Sequence, residues 1–213
     1  MYGGPVSPGH SDRLTVPSQE QRFVNPTFIL IAGPNGAGKS TSAPTLLSDQ
    51  YDALEFVNAD DIAKGLSAFH PERVAIPAGR ILLRRFEELA RANESFAIET
   101  TLSGRGYARH IAALKKKGYR FELIFLWLPS VELAVARVAQ RVALGGHNIP
   151  EDVIRRRYQA GLNNFFELYQ QLTDLWKFYD SSRPHPRLIA YGEFYEVFTV
   201  DPEIWHNVRG TEL

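Results

Sequence analysis

The sequence predicts an α/β sandwich in which a central, mainly parallel β-sheet is covered by helices on both faces and a helical lid projects over one edge. Two observations predict it. From Asn25 onward, short apolar runs alternate with stretches of helical character, the pattern of a parallel sheet with crossover helices. The first such run, TFILIAG, ends in glycine and passes directly into GPNGAGKST, Gly33 to Thr41, where a new helix starts. Right-handed crossovers put the C-terminal ends of the strands on one edge, where α/β proteins bind ligands.

Taken in order, residues 1–23 are rich in Gly, Pro and Ser, show no sustained period, and read as a flexible or peripheral N-terminal arm. Residues 24–213 read as the folded domain. TFILIAG is a buried strand, and Ser40 to Leu47 a helix with Pro44 in its first turn. Ala53 to Asn58 is a second strand and Asp60 to Leu66 a second helix. Pro71 to Asn93 is a long helical stretch with an irregularity expected at Pro77. Ser95 to Thr101, SFAIETT, is the third strand. Tyr107 to Lys117 is an amphipathic helix that ends in three lysines before Gly118, which suits a helix C-terminus. Tyr119 to Leu128 is the fourth strand and Val131 to Ala143 a helix broken by LGGHN. A long helix then runs from Pro150 to about Leu172, followed by late strands LWKFYD and PRLIAYG and a terminal helix near Asp201.

Composition bounds the function. With 44% hydrophobic and 12% aromatic residues over 213 positions, the chain can build a sizeable core. Its formal net charge is zero, so the chain as a whole is no basic footprint for nucleic acid, which leaves room only for local patches. It has no cysteine, which excludes disulfides and thiolate metal sites. No apolar run reaches the length of a bilayer span, and the N-terminus lacks the apolar core of a signal peptide; a cytoplasmic protein with no membrane partner is expected.

The chemistry starts at the glycine-rich string. Gly33, Gly38, Lys39 and Ser40 meet the Walker A pattern G-x-x-x-x-G-K-[ST], with a strand before it and a helix after it. In that setting Gly33, Pro34, Asn35, Gly36, Ala37, Gly38, Lys39, Ser40 and Thr41 form a cradle whose backbone N–H groups and helix N-terminus face phosphates. Lys39 would reach the β- and γ-phosphates of ATP, and the Ser40 hydroxyl would bind Mg²⁺. The same string opens the nucleotide site of ABC transport ATPases, and LSGRG, Leu102 to Gly106, invites that comparison. The context fails, because the strand after LSGRG ends in Leu128 and Pro129 with no carboxylate, so LSGRG is expected to be a strand-to-helix turn.

Carboxylates stand at two strand exits. VNADD puts Asn58, Asp60 and Asp61 after the second strand, across the cleft from a γ-phosphate. A carboxylate there suits a general base, and Asn or Asp there equally suits a helix N-cap. AIETT puts Glu99 and Thr101 two residues apart at the exit of the third strand, expected on one side, with Glu99 holding a Mg²⁺-bound water or a substrate hydroxyl. An acid in so apolar a strand is costly unless it faces a polar site. Arg137, Arg141, Arg155, Arg156 and Arg157 flank the LGGHN break; arginines on two hinged helices suit a lid that closes over phosphates, with Arg141 and one of the later run, preferably Arg157, expected to point inward. His147 is expected to be a loop hydrogen-bonder.

In order, AGPNGAGKST, VNADDIA, FAIETTLSG and RVALGGHNIPEDVIRRRY resemble the zeta toxin family of P-loop kinases, and LWKFYDSS resembles that family's late strand and loop. The resemblance spans roughly Thr27 to Gly192 and is most similar to the family's short, stand-alone chromosomal branch. It implies a P-loop kinase fold and phosphoryl transfer from ATP to a hydroxyl of a small molecule, in that family a nucleotide sugar, UDP-N-acetylglucosamine, with an antitoxin protein as partner. It puts the general base on Asp60, the substrate-side acid and hydroxyl on Glu99 and Thr101, and the lid arginines on Arg141 and Arg157. The competing expectation is a nucleotide-controlled binding module whose lid presents a surface to a protein partner.

Overall fold

The computed structural model describes residues 25–48, 54–193 and 196–210, so the proposed N-terminal arm lies outside the described residues. The framework is a seven-stranded sheet of order β2-β3-β1-β4-β5-β6-β7. Its central strand, β1 (Thr27–Ala32), is buried along its whole length. It is flanked in parallel by β3 (Phe96–Thr100) and β4 (Arg120–Trp127), with β2 (Glu55–Val57) outside β3. β5 (Leu175–Asp180) extends the parallel set beyond β4, and β6 (Arg187–Glu193) and β7 (Glu196–Thr199) then add antiparallel strands.

Because side chains alternate along a strand, β1 feeds two cores at once. Phe28 and Leu30 enter one apolar cluster with Phe86, Phe96, Ile111 and Phe121. Ile29 and Ile31 enter the other with Ala43, Ile124, Ala134 and Val138. The first cluster is capped by α3 (Ala75–Ala92) and α4 (Tyr107–Lys116), the second by α1 (Lys39–Ser48) and α5 (Val131–Ala143). This is the three-layer arrangement expected. At the far side Trp176 of β5 stacks on Trp205 of α7 (Pro202–Gly210), ring centres 5.3 Å apart. Asp201 caps α7 by accepting the Ile204 N–H at 3.0 Å.

Several expected boundaries shift. Pro71–Val74 is a 3₁₀ turn, and α3 then runs through Pro77 without a break, since proline in a first helical turn forfeits no intrahelical bond. The helix expected from Pro150 to Leu172 is α6 (Glu151–Asn164) only as far as Asn164; it widens into a π turn at Phe165–Tyr169 and tightens into a 3₁₀ turn at Gln170–Leu172. β7 is an edge strand that the sequence reading passes over. LSGRG is the expected turn between β3 and α4. Among the described residues, no helix is long and apolar enough to cross a membrane.

Candidate phosphoryl-transfer site

Parallel pairing of β2, β3 and β1 delivers Asn58, Glu99 and Gly33 to one edge of the sheet. The glycine-rich loop lies close against its supports. Gly33 has φ +144° and sits where a Cβ would stand 2.3 Å from the Leu126 carbonyl oxygen of β4. Gly36 has φ +81° and approaches the Ala134 carbonyl of α5 in the same way, a Cβ there falling 2.9 Å away. From the opposite side, buried Ser181 donates from Oγ to the Ala37 carbonyl at 2.7 Å. Arg137 donates to the carbonyls of Ser181 at 2.7 Å and Ser182 at 2.6 Å, with a longer contact to Gly36 at 3.4 Å. Arg137, one of the arginines around the lid, thus braces the loop backbone.

Lys39 opens α1 and is almost completely buried. Its Nζ donates to the Pro34 carbonyl at 3.0 Å and lies 3.8 Å from Glu99 Oε1. Burial pulls its pKa below the usual lysine value; Glu99 and Asp60 oppose that shift, and the charges of Arg141 and Arg157 add to it. Lys39 therefore sits in the field of all four of the other charged residues assigned to the site.

Glu99 organises the floor. Its Oε2 accepts from Ser40 Oγ at 2.7 Å and from Asn58 Nδ2 at 2.9 Å. Asn58 also caps α2 (Ala59–Leu66), its Oδ1 accepting the Asp60 N–H at 2.8 Å. One buried amide thus serves as helix cap and as orienter of Glu99. Because Asn58 fills the cap, the acidic pair behind it is released for other work. Asp60 lines a cavity of about 310 Å³ together with Ser40, Glu72, Arg141, His147 and Arg157. Asp61 points away and pairs with Lys64 at 2.9 Å on the exposed face of α2.

The later arginine run separates in the same manner. Arg155 pairs with Glu132 at 3.0 Å and Glu151 at 2.8 Å, Arg156 is exposed, and half-buried Arg157 faces the cavity. Arg141 donates to the His147 carbonyl at 3.0 Å, and His147 Nδ1 lies 3.6 Å from Glu72. Thr101 falls one residue past the end of β3, half-buried, its hydroxyl 3.0 Å from that of Ser103. Thr41 is exposed on α1, and Asn35 is buried with Oδ1 lacking a hydrogen-bond partner among the described residues. Ser181, Glu72 and Asn164, whose amide holds the turn after β3, were not picked out by the sequence reading. Ser181 and Asn164 act on loops 144 and 62 residues away, and no local pattern marks such partners.

The family model for Zeta toxin matches residues 12–177. The chain belongs to the zeta toxin family. This zeta toxin family member is 34% identical over 131 residues to an uncharacterized protein of Haemophilus influenzae, a match covering 61% of this chain and 91% of that one. Among solved structures it is similar to the AvrRxo1-ORF1:AvrRxo1-ORF2 complex with sulphate ions, at TM-score 0.71 and 18% identity, covering 91% of this chain. The chain spans 66% of the length of that protein, which has also been solved with ATP. It is similar as well to the PezAT chromosomal toxin–antitoxin system of Streptococcus pneumoniae, at TM-score 0.60 and 16% identity, covering 88% of this chain and 86% of the other. At these identities the structural likeness carries the fold, which is of the P-loop kinase type.

Proposed function

We propose that the protein is an ATP-dependent kinase that transfers the γ-phosphate to a hydroxyl of a small molecule, most favourably a nucleotide sugar such as UDP-N-acetylglucosamine. The observation that carries this reading is convergence. Ser40, Asp60, Arg141 and Arg157 come from four different helices to line one cavity, with the Lys39 ammonium in range of the three charged members. A carboxylate sharing one cavity with two arginines, beside a buried lysine, is the charge pattern that in-line phosphoryl transfer needs.

In this mechanism Asp60 accepts the proton of the acceptor hydroxyl as its oxygen attacks the γ-phosphorus, and the bond to ADP breaks. Lys39, Arg141 and Arg157 stabilise the negative charge that spreads over the transferring oxygens. The loop from Gly33 to Thr41 cradles the donor's phosphates, and buried Asn35 Oδ1 offers an acceptor that a ligand's donor can satisfy. Mg²⁺, when bound, would be held on the Ser40 oxygen and would supply positive charge to the donor's phosphates. The donor chemistry fits it: the Ser40 hydroxyl commits its hydrogen to Glu99 and lines the cavity with an oxygen free to meet a cation. Glu99 orients Ser40, and Asn58 orients Glu99. Thr101, on the turn beyond Glu99, is assigned to the acceptor side. The folded kinase unit is taken as residues 24–213, acting in the cytoplasm, and the likeness to the PezAT toxin–antitoxin system supports an antitoxin protein as partner.

The test incubates protein, Mg²⁺ and γ-labelled ATP with UDP-N-acetylglucosamine and, separately, with a metabolite extract. A labelled product heavier by one phosphoryl group is expected from the wild type. Asp60→Asn should lower its formation by at least about a thousandfold while nucleotide affinity stays within about threefold, and Asp61→Asn should leave both nearly unchanged. ATP binding with no phosphorylated acceptor would refute the kinase reading and favour a nucleotide-controlled binding module.

A further inference from the structure

The turn that follows Glu99 is held from outside the sheet, by a single helix. Thr101 to Gly106 joins β3 to α4, and within it fully buried Leu102 has φ +57°, a left-handed conformation that a branched side chain adopts only when its surroundings impose it. The imposing contacts come from α6 and its π turn. Gly161 packs so closely that a Cβ would stand 2.5 Å from the Thr101 carbonyl oxygen. Asn164, nearly fully buried, donates from Nδ2 to the Leu102 carbonyl at 2.9 Å and accepts from Arg105 Nε at 2.8 Å. Tyr169 donates from its hydroxyl to the Gly104 carbonyl at 2.8 Å, and Arg105 also pairs with Glu167.

The same helix carries Arg157. Positions 157, 161 and 164 are spaced by four and then three residues, so they share one face of α6. One end of that face meets the phosphate cavity, and the other grips the turn bearing Thr101. The π turn begins right after Asn164, and its wider coil brings Glu167 and Tyr169 onto the same turn.

We infer that Asn164 is a positioning residue that ties the acceptor-side turn to the phosphate-binding arginine, so that α6 sets the distance between the two halves of the reaction. This rests on the kinase reading above. Asn164 touches no reacting atom; it acts through Leu102 and Arg105. Losing it would let the turn move relative to Arg157 without disturbing the glycine-rich loop, which is braced separately by Ser181 and Arg137.

The test uses the full chain with γ-labelled ATP, Mg²⁺ and UDP-N-acetylglucosamine or, failing turnover of that sugar, the metabolite extract. Phosphate released to water and phosphate transferred to acceptor are measured together. For Asn164→Ala, transfer at subsaturating acceptor should fall by about tenfold or more, the KM for ATP should stay within about twofold, and the ratio of hydrolysis to transfer should rise. Asn164→Asp keeps the acceptor for Arg105 but sets a carboxylate oxygen against the Leu102 carbonyl, so it too should lower transfer and raise the ratio of hydrolysis to transfer. Tyr169→Phe keeps the buried ring, removes only the hydroxyl bond to Gly104, and should shift the same ratio by a smaller factor; it serves if Asn164→Ala fails to fold. An unchanged ratio in folded variants, or an equal loss of hydrolysis and transfer, would overturn the inference while leaving the kinase reading intact. A wild type that phosphorylates no acceptor would remove both.

Discussion

Replacing Gly161 with alanine probes the tightest contact between α6 and the turn after β3. Built on the existing backbone, the new methyl group would lie 2.5 Å from the Thr101 carbonyl oxygen, so helix and turn must separate by about 0.9 Å to reach ordinary contact at 3.4 Å. Overpacking of this kind costs about 1–3 kcal/mol, against which alanine's better helix propensity returns about 0.8–1 kcal/mol. The net expectation is a loss of about 1 kcal/mol, a fall in Tm of about 2–4 °C for a chain of this size. Gly79, inside α3 with nothing within 4 Å of its would-be Cβ, is the matched control. There the same substitution keeps only the propensity gain and should raise Tm slightly. Calorimetry reads both, and the labelled-phosphate assay should show a further loss of transfer in Gly161→Ala, because the turn carrying Thr101 has been pushed outward. A Gly161→Ala protein as stabilised as Gly79→Ala, with full transfer, would refute the close approach and the positioning argument built on it.

Lys39 offers a pH test. Its folded-state pKa is lowered, chiefly by burial, so between the folded and unfolded values the unfolded chain binds more protons. Its contribution to stability is therefore present above the unfolded value of about 10.5 and lost as pH falls through the folded pKa. Urea unfolding of wild type against Lys39→Met should show the wild type losing ground as pH drops through the alkaline range and levelling off below; a difference independent of pH would argue that the ammonium is not buried. Trp205 tests the far end of the sheet. It stacks on Trp176 at 5.3 Å and meets Phe178 and Phe166 at 5.3 and 5.6 Å. Trp205→Ala should cost about 3–5 kcal/mol, read as a large fall in Tm, with nucleotide affinity in the folded protein unchanged by isothermal titration.

What could be read from the sequence was what local chemistry dictates. TFILIA reads as a buried strand because every residue of it is apolar or β-branched, and the helix after it follows from the glycine–lysine–serine string. Asn58 and Asp60 were both visible at the exit of β2, but which of them caps the helix depends on where α2 starts; it starts at Ala59, which makes Asn58 the cap and frees its Nδ2 for Glu99, 41 residues distant. The irregularity expected at Pro77 did not arise, since α3 starts only at Ala75 and leaves Pro77 in its first turn, where no intrahelical bond is lost. β7 escaped because EVFT is exposed along its length and lacks the buried alternation that reveals inner strands. The π turn escaped because FFELY is ordinary helical sequence, and the partners of Glu167 and Tyr169, Arg105 and Gly104, lie 62 and 65 residues away on another turn. Glu99 and Thr101 were expected to share a side by strand alternation, yet β3 ends at Thr100, and alternation lapses before Thr101 is reached.

The bond from Ser40 to Glu99 has a consequence for what the serine can recognise. A hydroxyl owns one hydrogen, and here it is committed to Glu99 Oε2 at 2.7 Å. One lone pair receives a weak contact from Asn58 Nδ2 at 3.3 Å. What Ser40 turns toward the cavity is thus an oxygen able to receive and unable to give: it attracts a positive centre and offers nothing to an anionic oxygen. Two neighbours in the chain, Lys39 and Ser40, thereby acquire opposite polarities, and Glu99, lying between them, is the residue that enforces the division.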